Sequence, residues 1–152
     1  MKSFLSLFTL LILFSSFFWD DEEKELKALY LTAEAAMRNE DLSSAKEAYL
    51  TILKKIDMKG GSRNGVDWNT YVDLHIQLAE CHTSLEEVEE GVKLLTKLLA
   101  KMPPAEFTPR IRLYRARLTS LNSQPEQAYL EMRSVIEASP QHDWSRDELS
   151  FY

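Results

Sequence analysis

The sequence predicts an all-α protein: three antiparallel helix pairs in series, preceded by a short hydrophobic N-terminal helix. Three observations carry this expectation. Glycine and proline number only four and five, so few residues interrupt helix, and Leu, Ala, Glu and Lys are abundant. A small residue, then a large one four positions later, then two aliphatics, occurs at Ala45, at Gly91 and at Ala128. Each of these small residues has another twelve positions upstream, at Ala33, Ala79 and Ala116. With 152 residues, 45% hydrophobic and 28% charged, the chain suits one globular domain.

The amino-terminal stretch is a separate object. "MKSFLSLFTLLILFSSFFWDDEEKE" holds one lysine, an uncharged apolar run from Ser3 to Trp19, and then an acidic run. Seventeen helical residues span about 25 Å, just short of the ~30 Å hydrocarbon core of a bilayer. Residues 1–19 therefore read as a signal peptide or a signal anchor. A cut after Ser15 or Ser16 would place Leu13 or Phe14 at the position that needs a small residue. Phe17, Phe18 and Trp19 resemble an interfacial aromatic belt, which favours the anchor. Lys2 and the acids from Asp20 onwards would keep the amino end cytoplasmic and put the domain on the lumenal, periplasmic or other extracytoplasmic side. The alternative is a soluble secreted or lumenal protein after cleavage.

The pairs follow from packing. Two antiparallel helices approach closely only where each offers a small residue. The large residue one turn along fills the groove beside it: Tyr49 after Ala45, Leu95 after Gly91, Met132 after Ala128. Ile52 and Leu53, Leu98 and Leu99, and Val135 and Ile136 continue the apolar stripe. Pro103 and Pro140 then stop the second helices twelve residues after the small one, where the first unit has Asp57. Helix starts are marked by Asp67 before Trp68, by Thr108-Pro109, and by the capping-box spacings Ser84/Glu87 and Ser123/Glu126.

This pattern resembles the tetratricopeptide repeat (TPR) family, whose unit is about 34 residues. Leu29, Ala33, Asp41, Leu42, Ala45, Tyr49 and Leu53 carry it in the first repeat. In the second they are Leu78, Ala79, Gly91, Leu95, Leu99 and Pro103; in the third, Ala116, Ala128, Val135, Ile136 and Pro140. The resemblance implies an α-solenoid over residues 20–140, with repeats near 26–57, 68–103 and 109–140 and a tail at 141–152. Spacing exceeds 34 in two places: Ala45 to Gly91 is 46 and Gly91 to Ala128 is 37. The larger surplus falls in "DMKGGSRNGVD", a glycine loop over Gly60 to Gly65 that is either a tolerated insertion or a contact loop with Lys59 and Arg63.

In the family, first helices line a concave face that binds extended peptides or partner helices. Carried onto this chain, that face comprises Lys27, Tyr30, Glu34 and Met37, then Asp73, Ile76, Gln77 and Glu80, then Arg110, Leu113, Tyr114 and Arg117, with Leu121 beyond. Family members that clamp chaperone tails use lysine, asparagine and arginine there. Tyr30, Glu34 and Tyr114 stand in such places, which disfavours that role. That face is acidic at one end (Glu34, Asp73, Glu80) and basic at the other (Arg110, Arg117), which either suits an amphipathic helix or segment of mixed charge or simply solvates the surface.

Other chemistry finds little support. A net charge of −6 opposes nucleic-acid binding, and the run Arg110, Arg112, Arg115, Arg117 is better used in salt bridges to Glu126, Glu131 or Glu137. Arg112 and Arg115 fall on normally buried positions, so either the third repeat is degenerate or its first helix is rotated to bury Ile111, Tyr114, Leu118 and Leu121. The single cysteine, Cys81, excludes an internal disulfide, and with His75 and His82 it fits core packing better than a metal or nucleophile site. No motif implies a catalytic residue, a cofactor, a metal or a small-molecule substrate. Trp144, Phe151 and Tyr152 in the tail either fold back over the last repeat, which is the expectation, or form an exposed docking segment. The expected function is a non-enzymatic protein-interaction scaffold, a membrane-tethered subunit or assembly factor of a larger complex. The alternative is a soluble co-chaperone that binds unfolded or extended segments.

Overall fold

The computed structural model describes residues 21–57, 66–122 and 125–140. They form six helices and, among the described residues, no strand: α1 Asp21–Arg38, α2 Leu42–Asp57, α3 Trp68–Ser84, α4 Val88–Ala100, α5 Thr108–Leu121 and α6 Pro125–Ala138. None of these is long and apolar enough to cross a membrane. The expectations for residues 1–19, for the glycine loop and for the tail lie outside the described residues.

Each helix packs on the next along the chain, and α3 also touches α5. Within pairs the chain reverses. Tyr49 of α2 reaches back to Glu34 of α1, and Lys55, later in α2, reaches Glu25, earlier in α1. Lys101, just after α4, meets Tyr71 at the start of α3, while Gly91 meets Ala79 further along. Between α3 and α5 the direction is the same, because Asp73 pairs with Arg110 and Glu80 with Arg117 at one constant offset.

The six small residues explain the close approach. Ala33, Ala45, Ala79, Ala116 and Ala128 are at most 2% exposed, and Gly91 is buried. A Cβ at Gly91 would lie 3.0 Å from Leu118 Cδ1 and 3.2 Å from the Ala79 carbonyl oxygen, so glycine alone fits this crossing comfortably. Tyr49, Leu95 and Met132, the large residues four later, are all buried. One apolar cluster runs from Ala33 of α1 through α2, α3 and α4 to Ile111 and Leu118 of α5. A second, smaller cluster of Leu113, Ala116, Ala128 and Met132 joins α5 to α6.

Helix α5 departs from the single-faced helix expected. It is packed from two sides, Ile111 and Leu118 against the main cluster and Leu113 and Ala116 against α6. Tyr114 is half-buried at the edge of the main cluster and Leu121 is 56% exposed, so the expected stripe is only partly interior. Exposed Arg112 and half-buried Arg115 sit beside these residues.

Boundaries follow local chemistry. Asp67 caps α3 as expected, accepting from the Thr70 amide at 2.9 Å. Asp41 accepts from the Ser44 amide before α2. The Ser84/Glu87 capping box does not form. Ser84 is the last residue of α3, α4 starts only at Val88, and the Glu87 carboxylate is engaged by Lys46 and His82. Thr108 is itself the first residue of α5 and not its cap. Ser123 lies outside the described residues. Left-handed backbone occurs at Glu40 (φ 59°) and Glu86 (φ 63°) in corresponding turns of the first two pairs, and at Met102 (φ 51°).

Candidate protein-binding face

Helices α1, α3 and α5 carry all twelve residues assigned to the face, and the structure sorts them by depth. Ile76 and Leu113 are 2% and 0% exposed, so they pack beneath the surface. Met37 is partly buried against the main cluster, with its Sδ 3.3 Å from the Cys81 Sγ. Lys27 is exposed, and Tyr30, Glu34, Asp73, Gln77, Glu80, Arg110, Tyr114 and Arg117 are half-buried. Sequence register alone did not separate the two kinds, because a helix flanked on both sides buries residues on more than one stripe.

The polar groups are organised as a row. Glu34 accepts from Tyr49 Oη at 2.8 Å, and its charge also bears on the Tyr30 phenol. Burial, reinforced by Glu34 and Asp73, pushes the Tyr30 phenol up to about 12. It stays a neutral donor at any physiological pH. Tyr49 is shifted further in the same direction, again chiefly by burial.

Next along the row, Arg110 Nη2 lies 2.7 Å from Asp73 Oδ1. The approach is close but poorly aligned, and Oδ1 is enclosed without a well-directed hydrogen bond, so the contact is an ion pair more than a hydrogen bond. Asn69 Nδ2 donates to the other oxygen at 3.3 Å. Arg117 Nη1 stands 3.8 Å from Glu80 Oε1. Burial raises both carboxyls above their ordinary values, against the opposing pull of the arginines. The acidic and basic ends expected of this face are thus set against one another across α3 and α5. Arg115 pairs with Glu131, as expected, but Glu137 is taken by Arg133, and Arg110 and Arg117 turn to α3 while Arg112 stays exposed.

The candidate reactive residues are each engaged in packing. His75 is 4% exposed, its Nδ1 2.8 Å from the Tyr71 carbonyl and its ring edge-on to Tyr71 at 4.5 Å. The Cys81 thiol is fully buried, and burial, aided by Glu80, pushes it up to about 11, which keeps it protonated. His82 Nδ1 is 2.7 Å from Glu87 Oε2. No three His, Cys, Asp or Glu side chains among the described residues are grouped to hold a metal ion.

One node escaped the sequence reading. The Glu87 carboxylate takes Lys46 Nζ on both oxygens at 2.9 Å as well as His82, joining α2, α3 and the start of α4. These partners hold the Glu87 carboxyl below its usual range. Its signal in sequence was hidden by the capping-box spacing, which gave Glu87 a different job.

Comparison with family models, curated proteins and solved structures gives no match to this chain. The repeat resemblance therefore stands on the residues themselves.

Proposed function

We propose that this chain is a non-enzymatic protein-interaction scaffold of the tetratricopeptide-repeat kind. In this reading it is a subunit or assembly factor of a larger complex, held at a membrane by residues 1–19. The observation that supports it best is the side-by-side arrangement of α3 and α5. Asp73 with Arg110 and Glu80 with Arg117 share one offset, as neighbouring repeats of a solenoid would. The first helices then line a concave surface on which Tyr30, Gln77 and Tyr114 offer aromatic and amide contacts. The Asp73–Arg110 and Glu80–Arg117 pairs can exchange partners with an incoming peptide or amphipathic helix of mixed charge. The engagement of His75, Cys81 and His82 in packing supports a binding role over catalysis.

The test is site-directed photo-crosslinking of the full chain in its own cells, with the photoreactive residue at Gln77 or, as control, at exposed Thr96 of α4. The expected result is one defined adduct from Gln77, absent from Thr96, in the membrane fraction after alkaline extraction. Equal adducts from both positions, or none from Gln77, would overturn the assignment of the face. Recovery of the chain solely as a shortened soluble species would overturn the tether and favour the co-chaperone alternative.

A further inference from the structure

A hollow in the described surface lies away from the proposed binding face. Arg112 is two positions from Arg110, about 200° around the helix, so the two point to nearly opposite sides of α5. A hollow of about 410 Å³ opens there between the end of α4, the following turn, α5 and α6. A second of about 180 Å³ shares Thr108, Arg112 and Val135 with it, and the two make one groove. Leu99, Met102, Pro103 and Val135 give it apolar walls, and Met102 is 84% exposed.

The groove has one cation to spare. Arg115 is taken by Glu131, whereas Arg112, exposed in the groove, has no partner among the described residues. An occupant that brings an apolar side chain and a carboxylate would complement these walls and Arg112. Ala138 and Ser139 line the smaller hollow, so the chain leaves α6 at the mouth of the groove. The residues that follow, "QHDWSRDELSFY", carry Trp144, Leu149 and Phe151 together with Asp143, Asp147 and Glu148 against a single arginine. Twelve residues can reach roughly 40 Å when extended, several times what is needed. Attachment at the groove's edge also supplies a local concentration in the millimolar range.

The geometry points to residues 141–152 of the same chain as the occupant of this groove, with an acidic side chain on Arg112 and an aromatic ring against Leu99, Met102, Pro103 and Val135. The segment would seal the open end of the α5–α6 pair. The inference is independent of what the opposite face binds.

Hydrogen exchange of the full chain in detergent micelles tests it, at two protein concentrations about tenfold apart, in the wild type and in Arg112→Glu. The expected result is at least about tenfold slowing of the 141–152 amides relative to an unstructured peptide, the same at both concentrations, and lost in Arg112→Glu. Residues 42–57 serve as the folding control. Should Arg112→Glu disturb them, Ser134→Trp, which fills the groove from an exposed position, must release the segment in the same way. Unslowed exchange in the wild type, or slowing that survives the variant, overturns the proposal. Slowing that grows with concentration overturns it in favour of a second copy as the occupant.

Discussion

The first two helix pairs and the third are built from the same small-residue crossings, yet they are not equally interior. Helices α1 to α4, with the Ile111 and Leu118 side of α5, share one continuous cluster that includes Tyr49, Tyr71, Leu95 and Leu98. Helix α6 rests on the four residues Leu113, Ala116, Ala128 and Met132, with Val135 buried beside them, and it shows Tyr129 and Leu130 at 44% and 64% exposure. Apolar burial contributes stability roughly in proportion to the area removed from water. The difference teaches that stability here declines towards α6, which is where a covering segment has most to contribute.

The largest test of that contrast is a matched pair of truncations. Leu95→Ala empties a fully buried site in the main cluster and should cost about 3–4 kcal/mol, while Met132→Ala should cost about 2 kcal/mol. Chemical denaturation monitored by circular dichroism measures both, and equal costs would break the comparison. Gly91→Val comes next. Its Cβ would already press on Leu118 and the Ala79 carbonyl, and backbone cannot yield as a side-chain tip can. A loss of about 2–3 kcal/mol in the same assay is expected.

Alkaline pH sharpens the comparison differently, because two phenols with raised values, Tyr30 and Tyr49, belong to the first pair. In the unfolded chain a tyrosine loses its proton near 10, whereas Tyr30 in the fold holds its proton to about 12. The folded state thus binds more protons between those values, and its stability must fall as pH rises from about 10 to about 12. Tyr30→Phe should flatten that decline, read as the denaturation midpoint against pH, and remove a late-titrating phenol from the ultraviolet spectrum. The smallest effect concerns the two corresponding turns. Glu40→Gly and Glu86→Gly relieve left-handed backbone and should each add about 0.5–1 kcal/mol, raising the melting temperature by roughly 2 °C. A loss at either position would mean that the glutamate side chain stabilises its turn.

Much of the fold was legible because it depends on residue size at fixed offsets. Ala33 with Ala45 and Ala79 with Gly91 could be located from spacing alone, since a close crossing admits only small residues. Asp67 was legible because a cap acts within one turn of its own helix. Leu113 was placed on an open face and is fully buried, whereas Leu121, placed at the end of that face and alternatively on a buried stripe, is exposed. The burial of Leu113 has a clear cause: α5 packs on α3, α4 and α6, and a single-period stripe describes a helix with one neighbour. The candidate face was legible as a set of positions but not as a charge pattern. Sequence gives the sign of Asp73 and Arg110, but only the adjacency of α3 and α5 makes them partners.

The two ion pairs between α3 and α5 have a mechanical consequence. They are seven residues apart on each helix, a lever of about 10 Å along the axis. One pair closes to 2.7 Å and the other stands at 3.8 Å. Both pairs are partly open to solvent, and dissolved ions weaken such contacts. The hold of α5 on α3 thereby depends on the surrounding medium and slackens as ionic strength rises.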